Sequence, residues 1–198
     1  EGFLGAIEDK PFSLDIEKAK GLLADAGLEN GFSVTMDTRN VPTTMDMAQA
    51  IQATWAKAGI ELEIIPGDNK QTLTKYRART HDIYIGRWGP DYQDPHTNAD
   101  TFASNPDNSD EGNHTGKLAW RNSWDIPEMT ALTAAAVLEH DPETRSTMYQ
   151  ELQREHQAMS PFVIMFQDIE LIASRQGVDG VIWGPSFDDN KYWKAGKQ

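Results

Sequence analysis

The sequence has no cysteine, which excludes a disulfide framework, a thiolate metal site and a cysteine nucleophile. It has no apolar run near the roughly 18 residues of a spanning helix, and its mean hydropathy is −0.60, so no transmembrane helix is expected. Basic residues are scarce: 18 Lys and Arg stand against 31 Asp and Glu, a net charge of −13. Such a surface repels phosphate backbones and anionic headgroups, and the Lys and Arg are scattered singly. No nucleic-acid partner and no membrane-surface partner are expected.

Signatures of common chemistries are missing too. No HExxH or His-x-His occurs, and the histidines at 81, 96, 114, 140 and 156 fall in unlike contexts, so no metal site is expected. His156 reads as a core-edge residue of its helix. The loop Asp107-Asn108-Ser109-Asp110-Glu111-Gly112 imitates the opening of a calcium loop, but Leu118 stands where a bidentate glutamate is required. Without GxSxG, GxxxxGK[ST] or GxGxxG, no catalytic residue, nucleotide or other cofactor is assigned. Asp91 and Asp94 could divide acid and base roles in a hydrolase. Three residues apart on a loop, they are more ordinarily turn-formers, and Asp94-Pro95 reads as the start of a turn.

What remains is a chain of 198 residues with 38% hydrophobic content, enough for one core, and a single domain over 1–198 is expected. It starts at Glu1 without an initiator methionine or signal sequence, so a processed or truncated piece of a longer protein is expected.

Periodicity supplies the architecture. After a Gly- and Pro-punctuated lead-in over residues 1–14, Asp15 caps a helix with Ile16, Ala19, Leu22, Leu23 and Ala26 at helical spacing, stopped by Gly27. Phe32, Val34 and Met36 alternate as a strand. From about Thr44, the residues Met47, Ile51, Trp55 and Ala58 form one helical face closed by Gly59, and Ile60, Leu62 and Ile64 open a second strand at once. A helix over 70–79 precedes a strand from Asp82 to Gly86 that ends at Trp88. This alternation predicts an α/β fold with a mixed, mainly parallel sheet flanked by helices.

From Gly89 to Gly116 the pattern gives way to Asp, Asn, Pro and Gly, a loop long enough to be functional or mobile, with a short helix near Ala99 to Ala103. Pro127 and Asp141-Pro142 then start two helices, the second burying Tyr149, Leu152, His156 and Met159. Phe162 to Phe166 and Ile169 to Ser174 read as strands, and the tail from Gly177 is irregular and aromatic-rich.

Four stretches, in order, carry a resemblance. They are Leu14 to Gly27, Ala48 to Ile60, Asp82 to Pro95, and Asp141 to Gln153. Together they resemble the C-terminal half of the family 5 solute-binding proteins, which serve ABC importers for dipeptides, oligopeptides and nickel. Ile16 stands where that family usually has proline. The resemblance implies one lobe of a periplasmic-binding-protein type II clamp that captures a small polar solute, in the first place a short peptide. Its implied partners are that ligand, the N-terminal lobe of the same parent chain, on which the tail from about 177 would pack, and a membrane permease. A periplasmic location is implied.

Four residues are singled out. The resemblance implies that Asp91 accepts hydrogen bonds from a ligand α-amino group, that Trp88 lines the pocket as a rigid aromatic wall, and that Arg39 takes a ligand carboxylate. Arg39 is expected in the loop after the first strand, and here that loop is about one residue shorter than in dipeptide binders. Asn113 is a further polar candidate. From spacing alone, Asp91 and Asn113 would be ordinary loop residues and Trp88 a core residue at a strand end. Competing functions are the sensor module of a transcription regulator, and a solute-binding protein for an oligosaccharide or metal chelate.

Overall fold

The structure, a computed structural model, describes residues 13–167, 171, 173–184 and 190–197. The chain divides between Trp88 and Gly89 into two compact units.

The first unit is built by short connections that force parallel pairing. Asp15 caps α1 (Ile16–Asp25) by accepting a hydrogen bond from the Lys18 amide at 2.9 Å. β1 (Phe32–Arg39) follows, then α2 (Pro42–Trp55), which starts two residues before the expected Thr44 because Pro42 takes a first-turn position where no amide proton is needed. One 3₁₀ turn (Ala56–Ala58) ends at Gly59, whose φ of +90° lets the chain reverse into β2 (Ile60–Gly67). A reciprocal capping box between Asp68 and Gln71 starts α3 (Asn69–Arg77), and β3 (Ile83–Tyr84) completes the sheet.

The strand order is β2-β1-β3, all parallel, with Phe32 opposite Ile60, Arg39 opposite Gly67 and Asp37 opposite Tyr84. β3 is shorter than the expected Asp82 to Gly86, although the Ile85 amide still donates to the Asp37 carbonyl at 3.1 Å. Its start is pinned by Asp82, which accepts from the Thr35 amide at 3.0 Å and hydroxyl at 2.6 Å. Those two bonds favour the ionised form and hold the Asp82 carboxyl below its usual pKa.

One face of the sheet buries Met36, Leu62 and Ile85 against Ala48 of α2, with Met47, Ile51 and Trp55 packed around them. That is the expected helical face. α1 behaves differently: none of its residues is buried, and Leu22 stays exposed.

The second unit is mainly helical. α4 (Pro95–Phe102), α5 (Leu118–Arg121), α6 (Pro127–Ala136) and α7 (Pro142–Met159) bury Ala99, Ala103, Ala119, Ile126, Met129, Ala136, Tyr149 and Leu152 together. Pro127 and Pro142 begin α6 and α7 as expected. The long loop is tied down by its own polar groups. Asn105 donates to Asn108 and to the Trp124 carbonyl, and Trp120 donates its indole N–H to the Ser109 carbonyl.

Four expectations need correction. Asp94-Pro95 starts a helix rather than a turn, with Asp94 as N-cap. Met159, expected on the buried face of α7, is exposed because it sits in the last turn, beyond the residues α4 and α6 cover. Phe162 to Phe166 forms no ladder, since no described strand runs beside it to satisfy its backbone. The tail carries a small antiparallel ladder, β4 (Val178–Asp179) with β5 (Gly196–Lys197), where irregular chain was expected. The lead-in to residue 12, and residues 169, 170 and 172 of the last expected strand, lie outside the described residues.

Candidate functional site

In an open parallel sheet, ligand crevices form beyond the carboxyl ends of the strands, where the connections switch direction. Here the chain leaves β1 through α2 to reach β2 on one side, then returns through α3 to β3 on the other. The switch point therefore lies between the carboxyl ends of β1 and β3. Arg39, expected in the loop, is instead the last residue of β1, because the strand's pairing continues to Gly67 of β2, and Trp88 follows the end of β3 by four residues. Two of the predicted site residues thus share one edge of the first unit.

Arg39 is half-buried, and its side chain makes no ion pair or hydrogen bond among the described residues. A guanidinium held partly out of water without a partner is a ready anion receptor. Trp88 is 39% exposed, so it is not a fully buried core residue.

Two residues before Arg39, and on the same face by the period of a strand, lies Asp37. It is only 2% exposed. Lys75 of α3 brings its ammonium to 2.7 Å from Asp37 Oδ2. That ammonium is not aligned for a hydrogen bond to the oxygen, so the attraction is one of charges. Sequence reading overlooked this pair. The signal available was a carboxylate directly after the apolar Met36, inside a strand of a parallel sheet flanked by helices.

Asp91 belongs to the second unit. It is exposed, its amide donates to the Thr97 hydroxyl at 3.3 Å, and its carboxylate has no hydrogen bond or ion pair among the described residues. Asp94, three residues on, is fully committed. It accepts from the His96 amide at 2.8 Å and from Arg145 at 2.7 Å, while Arg145 also donates to the Tyr149 hydroxyl and lies 4.9 Å from that ring's centroid.

Burial opposes ionisation of Asp94, but the Arg145 and His96 hydrogen bonds prevail and hold its carboxyl below the usual value. A group depressed in the folded state contributes stability above its unfolded pKa of about 3.9, lost as pH falls through the folded value. Between pH 5 and pH 2.5 the wild type is therefore expected to lose more stability than Asp94→Asn, as read from urea midpoints. Parallel losses would mean that the pair contributes nothing.

Asn113 is exposed with φ of +47°. Asparagine tolerates this left-handed conformation, and its backbone closes tight turns with Asp110 and Thr115. Its side chain makes no hydrogen bond among the described residues. Also among the described residues, no cluster of His, Asp and Glu could hold a metal ion, and no helix is long and apolar enough to cross a membrane. His156 sits among Phe102, Trp124 and Phe162, and burial lowers its pKa.

The fold places the chain in a class. The parallel sheet flanked by helices is the mixed α/β fold of the periplasmic binding proteins of type II, and 93% of the chain superposes with a TM-score of 0.76 on 36% of the dipeptide binding protein from Pseudoalteromonas sp. SM9913, at 24% identity. Residues 2–110 match the family described as bacterial extracellular solute-binding proteins, family 5 middle. The chain belongs to that family. It is 30% identical over 194 residues to di/tripeptide-binding protein 4 of Pseudomonas aeruginosa, covering 96% of this chain and 34% of the relative. A periplasmic binding protein associated with an ABC transporter of Helicobacter pylori, solved with the peptide STSA, aligns at 26% identity and a TM-score of 0.66 over 74% of this chain and 28% of its own. The chain thus spans about a third of the length of the relatives it matches.

Proposed function

We propose that the chain is the ligand-gripping lobe of a solute-binding protein of an ABC importer, which captures a short peptide reversibly in the periplasm without chemical conversion. The observation that carries the reading is the half-buried Arg39 at the switch point of the sheet, without an ion pair or hydrogen bond among the described residues. Its planar fork suits a carboxylate and can hold both oxygens. Trp88, at the same edge, offers a rigid wall at small entropic cost. Asp91, exposed and without an ion pair among the described residues, takes an α-amino group, and Asn113 adds a polar contact.

Peptide-binding relatives support the choice of ligand. A di/tripeptide-binding protein is 30% identical, and a relative solved with a tetrapeptide is 26% identical. The proposed partners are an N-terminal lobe of the same parent chain and a membrane permease. The exposed apolar run Val163, Ile164, Met165 and Phe166 supports the first, since contiguous apolar surface of this kind marks a contact. Ligand would stabilise the closed clamp selectively, and closure would present the permease with a distinct surface.

Asp91→Ala in the full-length parent tests the reading. Calorimetry is expected to show affinity for a free dipeptide falling about five- to tenfold, the scale of one charge-assisted hydrogen bond open to solvent. Affinity for the N-acetylated dipeptide should not change. Equal losses for both would mean that Asp91 only shapes its loop.

A further inference from the structure

We propose that Lys75 is a positioning residue for Arg39: by holding the Asp37 carboxylate, it leaves the Arg39 guanidinium uncommitted and available to the carboxylate of the ligand. The inference rests on the reading of Arg39 as the anion grip.

Asp37 and Arg39 project to the same face of β1, two residues and roughly 7 Å apart along the strand. A guanidinium can close that gap. Asp37 is 2% exposed, with too little water around it to support an isolated charge. It therefore takes the best cation within reach, and two cations compete for it: Arg39 from its own strand and Lys75 from α3. Lys75 holds the position, at 2.7 Å. Arg39 has no partner among the described residues.

Lysine suits the brace and arginine the grip. A compact ammonium satisfies a single oxygen as a point charge, whereas a guanidinium spent on Asp37 could not present its fork to a ligand. Lys75 is also the better placed of the two, because the last turn of a helix favours a cation and α3 is anchored at its other end by the Asp68 and Gln71 capping box. The other carboxylate near Lys75, Asp82, is occupied by the two Thr35 hydrogen bonds. Asp37 is thus the carboxylate that decides whether Arg39 is free.

The decisive quantity is the ratio of affinities for L-alanyl-L-alanine and its C-terminal amide, measured by calorimetry on the full-length parent. A purely structural brace would alter both affinities together and leave the ratio fixed. Lys75→Met should lower the ratio about three- to tenfold, because Arg39 turns back to the orphaned Asp37. Asp37→Asn, which removes the competitor and puts a neutral amide of similar shape in place of the buried charge, should hold the ratio at or above the wild-type value. The double variant should match Asp37→Asn to within about twofold, because without the carboxylate the loss of Lys75 has nothing to act through, and the cycle is then strongly non-additive. One ratio common to wild type, Asp37→Asn and Lys75→Met overturns the inference. A parent that binds neither probe, or one whose ratio is unchanged in Arg39→Gln, removes the anion-grip reading and this inference with it. A ratio that falls in Arg39→Gln but stays fixed in Lys75→Met and Asp37→Asn removes only the role of Lys75.

Discussion

Replacing Arg39 by glutamine in the full-length parent is expected to weaken binding of a free-acid dipeptide by about 10- to 100-fold, the equivalent of roughly 1.4 to 2.8 kcal/mol. The size follows from the kind of contact. A hydrogen bond to a charged group contributes about 1.5 to 3 kcal/mol, and a guanidinium can make two such bonds in parallel to one carboxylate. Glutamine retains a donor of similar reach but loses the charge and the second arm. The loss should appear mainly in the dissociation rate, because a contact made after docking holds the ligand rather than steering it. The C-terminal amide of the same dipeptide is the control, and its affinity should change by less than about threefold, since it never engaged the charge. Because Arg39 makes no ion pair among the described residues, its removal leaves no buried carboxylate stranded, and the melting temperature should hardly move. Affinity that falls equally for acid and amide, or a large drop in melting temperature, would show Arg39 to be a structural residue.

Gly31→Ala is expected to be the most damaging single-methyl change in the first unit, costing about 2 to 5 kcal/mol. Gly31 sits at φ of +76°, immediately before β1, and a Cβ there would lie 1.9 Å from the Gly59 carbonyl oxygen and 2.8 Å from its carbonyl carbon. The closeness is a consequence of register. Phe32 pairs with Ile60, so the residues preceding them are drawn together at the amino end of the sheet. The left-handed conformation alone costs a side-chain-bearing residue about 1 to 2 kcal/mol. The clash adds about 1 to 3 kcal/mol, because both partners are backbone and the two strands would have to part. Gly27→Ala separates the two effects, since Gly27 has φ of +75° but nothing within 4 Å of the place an added methyl would take. It should lose only the conformational share. Urea midpoints of the parent protein check the order: wild type, then Gly27→Ala, then Gly31→Ala as the least stable. Equal losses for the two variants would mean that the strands yield at no cost.

Much of the fold was legible because local signals agreed with one another. Asp15, Gly27, Gly59, Pro127 and Asp141-Pro142 punctuate helices in the sequence and cap them in the structure. Alternation in Phe32, Val34 and Met36, and in Ile60, Leu62 and Ile64, marks strands that do pair. Elements that depend on a distant partner were harder to read. Phe162 to Phe166 has a strand's composition, yet it has no neighbouring strand among the described residues. The leucines of α1 have a helix's apolar spacing, yet none of them is buried.

The candidate site divides along the same line. Its positions could be found from the order of motifs, since Arg39, Trp88 and Asp91 each fall at or just after the end of a predicted strand. Their states could not. Asp91 and Asp94 look equivalent in sequence, but Arg145, 51 residues beyond Asp94, pairs with Asp94, and Asp91 has no ion pair among the described residues.

The sequence by itself determined the alternation of helix and strand, the caps and breaks between them, and the family of the chain, because each of these is set by neighbours within a few residues. Only the tertiary structure decided the order β2-β1-β3, which carboxylates are paired, and that Lys75 meets Asp37 while Arg39 has no ion pair among the described residues. The physical reason is that a charge is satisfied by whichever opposite charge the fold brings within a few ångströms, and separation along the chain says nothing about that distance.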